Sequence, residues 1–427
     1  MAGKSGLGRS GRLASKLGLA LGLGVFNAVL GVAQTQLDAQ TAESQPPAAN
    51  TPAAQPFAAP THPIQFQVFQ ASKRGADWLF RMHGAKGRFS PGLLVDVQQE
   101  IEQDNLIKQA IAAVALARAS RTFNEPRLEA RALQTILTLM EETAPDPSEP
   151  GTRVTRAPSL FLNKLAGASA LALAVYELPK PPKDQLDNAE QLVDGLRKLI
   201  RADGQFQSDG WAPSAEDMDG PSSYPFMAIC ALVRSNLSQH ESWKLETAQR
   251  AYAAYSRKWL EQKQLGSVGW LVRAGVELYG ATKDKATADF VLGVCDGLSG
   301  LQYDKLDPRR PGYFGGFRNW NNAGQVQEQA PTSTSAAAVE ALALGWRLAG
   351  ETGDANRHSK LQENLERGLQ FLATIQYGES NTKHFADWYA PKLLGGVRWG
   401  PQDGRLRLEA TSHALLAWTI YLEQPIK

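Results

Sequence analysis

From Ile64 onward, apolar residues recur at the i, i+3, i+4 spacing of a helix face, and no long run alternates with the period of a strand. The spacing predicts helices over residues 65–83, 104–121, 125–142, 159–177, 184–201, 222–237, 241–264, 267–280, 284–301, 333–350, 354–376 and 409–424. That makes about twelve helices, or six hairpins. Several close on or beside Gly or Pro, which end a helix for lack of a Cβ or of an N–H.

Two kinds of helix alternate. Ala110–Ala119 (AIAAVALARA), Gly167–Val175, Pro225–Val233 and Ser335–Gly345 are apolar nearly all round, which marks helices buried on every side. Their neighbours, such as Asp184–Arg201 and Arg357–Phe371, are amphipathic. Connection lengths alternate as well. Residues 122–124, 178–183, 238–240, 281–283 and 351–353 make short links, whereas 84–103, 143–158, 202–221, 302–332 and 377–408 make long ones; only Leu265–Gly266 breaks the rule. Buried helices inside amphipathic ones, with the long loops at one end, describe an all-α, α/α toroid of about six hairpins. Long loops in compact domains tend to carry function. The N-termini of the inner helices point at that rim, where their dipoles favour anions by about 0.3–1 kcal/mol each.

The last long loop departs from the helical pattern. Gly395-Gly396 precede Val397-Arg398-Trp399, Pro401-Gln402-Asp403-Gly404 has turn composition, and Arg405-Leu406-Arg407-Leu408 alternates. A small β-hairpin is therefore expected to deliver the chain into the final helix, where Glu409 and His413 share a face.

The ends and the composition narrow the setting. Lys4, Arg9, Arg12 and Lys16 precede an apolar run from Leu17 to Ala33, the layout of a signal peptide, or of an N-terminal anchor if uncleaved. Residues 34–63 form a Pro/Ala/Gln-rich linker and 64–427 the toroid domain. The chain is thus expected to be exported, periplasmic or secreted, with membrane contact only through that segment. A net charge of +2 gives no reason to expect nucleic acid. Cys230 and Cys295 sit in apolar patterns and read as buried thiols. No nucleotide, dinucleotide or zinc-protease fingerprint is present, and no cofactor is expected.

A degenerate repeat runs through the long loops. A helix tail is followed by a Gly-aromatic or Gly-apolar turn at Gly87-Arg88-Phe89, Asp203-Gly204-Gln205-Phe206, Gly312-Tyr313-Phe314-Gly315-Gly316-Phe317 and Gly395-Gly396-Val397. In this layout the chain resembles the terpenoid cyclase and protein prenyltransferase α/α-toroid superfamily, over roughly Ile64 to the C-terminus. The resemblance implies one toroid with its site at the long-loop end. The family's D-x-D-D motif has as its nearest match Glu216-Asp217-Met218-Asp219, which is not intact. His413 lies in a late inner helix, as the prenyltransferase zinc His does, but Thr332–Ala338 supplies no Asp or Cys partner.

Each candidate has a chemical and a purely structural assignment. His413 with Glu409 is a possible acid–base pair or a satisfied corner. Arg398, Arg405 and Arg407 would neutralise a ligand carboxylate, or pair with Asp403 and Glu409. Glu216, Asp217 and Asp219 offer acids, or cap a loop. Tyr313, Trp320, Trp388, Tyr389 and Trp399 all fall in long loops, where rings stack on sugars or pack the rim. The catalytic candidates are then His413, Glu409, Arg398, Arg407, Asp217 and Asp219. Replacing His413 or Arg398 with Ala is expected to remove activity with the fold intact; loss of folding would mark structural roles. These features point to a toroid that binds or processes a polysaccharide, an acidic one included. An isoprenoid cyclase-like enzyme and a non-catalytic glycan- or protein-binding toroid are the alternatives.

Overall fold

The computed structural model describes residues 62–156, 160–161, 163–207, 217–321 and 324–423. The proposed signal segment, nearly all of the linker, and Glu216 lie outside these residues.

Helix α1 (Pro63–Met82) leads to α2 (Leu106–Phe123), α3 (Pro126–Met140), α4 (Lys164–Glu177), α5 (Lys183–Gly195) and α6 (Tyr224–Ser238). Then come α7 (Ser242–Glu261), α8 (Val268–Thr282), α9 (Lys285–Ser299), α10 (Ser335–Glu351) and α11 (Ala355–Thr374). Two single-turn helices follow, α12 (Glu379–Thr382) and α13 (Ala390–Leu393), before the final α14 (Leu408–Leu422). The inner ring is α2, α4, α6, α8, α10 and α14. Each packs on the next, and α14 packs on α2 to close the circle. The outer ring is α1, α3, α5, α7, α9 and α11. This is the α/α toroid that the two helix compositions predict.

The inner helices form because every side of them has an apolar neighbour. All fifteen residues of α14, for example, are buried. Polar side chains fix their starts: Asn105 accepts the Ile107 and Lys108 amides of α2, and Asn163 accepts the Ala166 amide of α4.

The repeated turns share one function. Backbone bridges His83↔Phe89, Ile200↔Phe206, Gln302↔Phe317 and Gln376↔Val397 tie the end of an outer helix to the residue after its glycine turn. Gly315 (φ +83°) sits against the Arg367 carbonyl of α11, and Gly395 (φ +89°) against the Arg74 carbonyl of α1. Neither position has room for a Cβ, and both need the left-handed region. Gly395 thus seats the sixth hairpin on the first.

The expected hairpin is larger than its own loop. Strands β1 (Gly92–Leu94) and β2 (Gln99–Glu100) come from the first long loop. Two small hairpins follow, β3 (Thr143–Pro145) with β4 (Arg153–Thr155) and β5 (Asn319–Trp320) with β6 (Val326–Gln327). β7 (Arg398–Gly400) and β8 (Asp403–Arg407) then join the first pair in one antiparallel sheet of order β2-β1-β8-β7. Gly92 pairs with Arg407 and Leu93 with Leu406. The Leu408 amide donates to the Pro91 carbonyl at 3.0 Å, so the first loop is pinned to the start of α14. Cys230 and Cys295 are buried free thiols.

Candidate functional site

The start of α2, the start of α14 and the loop before α6 meet at the rim around a cavity of about 300 Å³. Its polar lining includes Asp104, Asn105, Lys108, Asp217, Arg407 and Glu409. At its centre the Lys108 ammonium lies 2.8 Å from Glu409 Oε1 and 3.2 Å from Asp217 Oδ1. Burial works against the Lys108 charge, but Glu409 and Asp217 outweigh it and raise its pKa. Lys108 is therefore a fixed cation rather than a base. A cation in the first turn of a helix opposes the helix dipole, and the two carboxylates compensate for that. Arg407 reaches Glu409 Oε1 at 3.7 Å and lies over the Trp399 ring at 4.7 Å, while its Nε is buried without a hydrogen-bond partner among the described residues.

Directly beneath lies a second, buried layer. The Asp219 amide donates to Asp217 Oδ1, so these two acids, two residues apart, serve two depths. His413 Nε2 is 3.0 Å from Asp219 Oδ1, and its Nδ1 is 2.9 Å from Glu340 Oε2. Burial alone would lower the His413 pKa. The charge and hydrogen bonds of Asp219 and Glu340 override it and push it up to about 10. Both ring nitrogens then donate, and the ring is an imidazolium. The Trp270 indole donates to Asp219 Oδ1 at 3.1 Å, and Arg273 donates twice to Glu340 Oε1, at 3.0 and 2.7 Å. Burial would raise the Glu340 pKa, but Arg273 and His413 hold it down at about 2. Asp219 Oδ2 is buried with no hydrogen-bond partner among the described residues. Tyr224 stands beside Asp217 and Asp219; burial, reinforced by their charge, raises its phenol to about 12 and keeps it protonated.

Charges continue down the axis of the ring. Arg273 meets Glu277 at 3.9 Å, Glu277 takes Arg234 at 2.7 Å, and Arg234 reaches Glu177 at 2.7 Å. Glu177 also takes Arg118 and Arg121, and Arg118 reaches Glu423. The lumen of the toroid is filled by alternating ions.

Of the residues singled out in the sequence, Asp217, Arg407 and Glu409 line the cavity, while Asp219 and His413 form the layer below. Spacing put Glu409 and His413 on one face, but they take different partners: Glu409 joins Lys108, and His413, one turn deeper, joins Asp219 and Glu340. Trp399 supports Arg407 from the side. Arg398 turns away and donates to the Thr374 and Ile375 carbonyls, closing the end of α11. Arg405 pairs with Asp403 in its own strand. Trp320 packs edge-on against Trp259 and lines a separate outer cavity. Tyr313 packs on Tyr303, and Tyr389 is buried beside Phe385. Trp388 stands 64% exposed. The rim aromatics therefore do not form one belt. Sequence reading missed Lys108, Tyr224, Trp270, Arg273 and Glu340. Among the described residues no group of three or more His, Cys, Asp or Glu is placed to hold a metal ion.

No protein-family model and no curated protein sequence matches the chain. Solved structures do match along most of their length. A D-mannose isomerase aligns with a TM-score of 0.59 at 13% identity, over 85% of this chain and 100% of that one. An inactive variant of an α-1,6-mannanase of Salegentibacter sp. HEL1_6, in complex with α-1,6-mannotriose, aligns with a TM-score of 0.57 at 10% identity, over 83% and 99%. An unsaturated glucuronyl hydrolase specific for heparin aligns with a TM-score of 0.57 at 12% identity, over 84% and 97%. At such identities the likeness establishes a shared fold.

Proposed function

We propose that this protein is an exported toroid that binds and processes a glycan at the rim, with Asp217 and Glu409 as the acids that face the sugar. One observation carries the reading. Two carboxylates from different elements converge on Lys108 Nζ, so the facing oxygens are no more than about 6 Å apart. Paired carboxylates about 5–10 Å apart are the working parts of glycosidic bond cleavage. Asp217 is partly exposed to the cavity, whereas Glu409 is held by Lys108 and Arg407. The mixture of ammonium, guanidinium, carboxylate and amide groups suits sugar hydroxyls, which donate and accept at once. Neighbours of the same fold act on or bind sugars, which supports this reading without deciding the substrate.

The isoprenoid alternative fits the cavity less well. An isoprenoid chain needs an apolar wall, and here the wall carries Lys108, Asp217, Arg407 and Glu409. A panel of neutral and acidic oligosaccharides and isoprenoid diphosphates, read by thermal shift and by release of reducing ends, tests the assignment. Stabilisation by an oligosaccharide with new reducing ends supports it, and stabilisation by an isoprenoid diphosphate alone replaces it. Binding without turnover leaves the pocket a glycan receptor and removes the catalytic role.

A further inference from the structure

A second and larger depression, of about 560 Å³, lies next to the rim cavity. The two share Pro91 in their linings, and an ion pair spans the wall between them: Arg88 lines the larger groove, Asp104 lines the rim cavity, and they meet at 3.4 Å. The groove is framed by the turn after α1, by β1 and β2, and by α13.

Its charge is one-sided. Arg81, Lys86, Arg88 and Lys392 line it against a single acid, Glu100, which accepts a hydrogen bond from Ser90. Arg88 is shared with Asp104 and Glu142 outside the groove, and Arg81 donates to the Leu394 carbonyl, a neutral group. Among the described residues neither Lys86 nor Lys392 has a carboxylate within salt-bridge distance. His83 adds no charge, because burial, reinforced by Arg131, lowers its pKa to about 4. The floor is apolar, with Met82, Phe89 and Leu93. Beside it stands Trp388, the most exposed aromatic ring described, with the Lys392 ammonium 5.8 Å from its centre.

We propose that this groove is an acidic-sugar subsite. It holds the carboxylate or sulfate groups of a uronic or sulfated glycan whose adjoining residue sits in the Asp217–Glu409 cavity, with Trp388 stacking on a sugar face. This inference rests on the glycan reading of the rim and gives it a substrate class. Cations set around a concavity, over an apolar floor and beside an exposed ring, match a chain that alternates anionic groups with flat C–H faces. The rim cavity itself sets two cations, Lys108 and Arg407, against three carboxylates, Asp104, Asp217 and Glu409, so the preference for acid comes from the groove.

The test uses the full chain, hexagalacturonate and a neutral mannohexaose, with affinities measured by calorimetry at low and high salt. Lys86 and Lys392 are exposed and outside the rim cavity, so K86E/K392E is expected to leave the fold intact, as the unchanged melting temperature would verify. Hexagalacturonate is expected to bind about tenfold more tightly than mannohexaose at low salt and to lose that advantage at high salt. K86E/K392E is expected to weaken hexagalacturonate by about tenfold or more and to leave mannohexaose within about twofold. W388A is expected to quench the fluorescence response to hexagalacturonate. Equal affinity for the two sugars, or acidic-sugar binding unmoved by K86E/K392E, overturns the groove whatever the neutral arm shows. Retention on phosphatidylserine vesicles without hexagalacturonate binding overturns it in favour of a membrane surface. Failure of mannohexaose to bind at all counts against the rim reading alone, and the acidic arm then stands or falls on K86E/K392E.

Discussion

Lys108 on α2 and Glu409 on α14 meet at 2.8 Å although 301 residues separate them. This contact joins the first inner helix to the last, and Asp217 joins it from the loop before α6. The rim cavity therefore exists only once the ring has closed. Removing Lys108 as Lys108→Met leaves the nearly buried Glu409 with Arg407 alone. Breaking such a pair costs about 3–5 kcal/mol when fully buried, and about 1–3 kcal/mol is expected here because Lys108 and Asp217 are partly exposed to the cavity. Urea unfolding measures it. The double variant Lys108→Met/Glu409→Gln is expected to recover part of the loss; a strictly additive cycle would mean that the two groups are not coupled.

His413 is a support of the fold as well as a neighbour of the site. His413→Ala would leave buried Asp219 with the Trp270 indole and no cation, and Glu340 with Arg273 alone, and destabilisation of about 3–5 kcal/mol is expected. Arg398→Ala removes the side-chain donor from the Thr374 carbonyl at the end of α11, while the Ile375 carbonyl keeps the backbone amide of residue 398, at a cost of about 0.5–1.5 kcal/mol. Chemical denaturation of both variants checks this, and wild-type stability in each would remove the structural roles assigned to them.

The same layer sets a pH window. The folded pKa of His413 is raised from 6.5 to about 10, so its contribution is full below 6.5 and is lost as pH rises through about 10. Glu340 is lowered from 4.5 to about 2, so its contribution is full above 4.5 and is lost as pH falls through about 2. Between these limits the two groups stabilise together. Stability measured from pH 6 to 10 is expected to decline, and His413→Asn to flatten that decline; an unchanged slope would show that another group causes it.

Ring closure has its own test at Gly395. A Cβ there meets the Arg74 carbonyl of α1, and the residue needs a positive φ. Gly395→Ala is expected to destabilise by more than about 1 kcal/mol. Gly353, also at positive φ but with open space around it, should lose less on the same change. Equal effects at both positions would deny the packing role of Gly395.

Architecture was easier to read in the sequence than the site. Helices such as Ser335–Gly345 are apolar nearly all round, and the parity of loop lengths then places the long loops at one rim. Asp217, Arg407 and Glu409 were found because they flank a predicted inner-helix start. Lys108 lies at such a start too, but its partners come from distant segments. Arg273, Glu340 and His413 follow a pattern that was present and went unread. Each is the sixth residue of its inner helix, α8, α10 and α14. Three ionisable groups at one depth in adjacent, otherwise apolar helices are expected to face each other across the axis, because a buried charge needs a partner. Some of the loop aromatics lie away from the rim for the opposite reason. Rings such as Trp320 and Tyr389 gain more from burial under the loops than from standing on the rim.

Binding of a neutral oligosaccharide to the Asp217–Glu409 cavity is the most direct test of the glycan reading. Calorimetry with mannohexaose on the wild type, D217N and E409Q separates the outcomes, with melting temperatures recorded for each. Saturable binding by the wild type is expected, weakened about tenfold or more in each variant while the fold persists. Binding of equal strength in all three proteins, or none in the wild type, would contradict it.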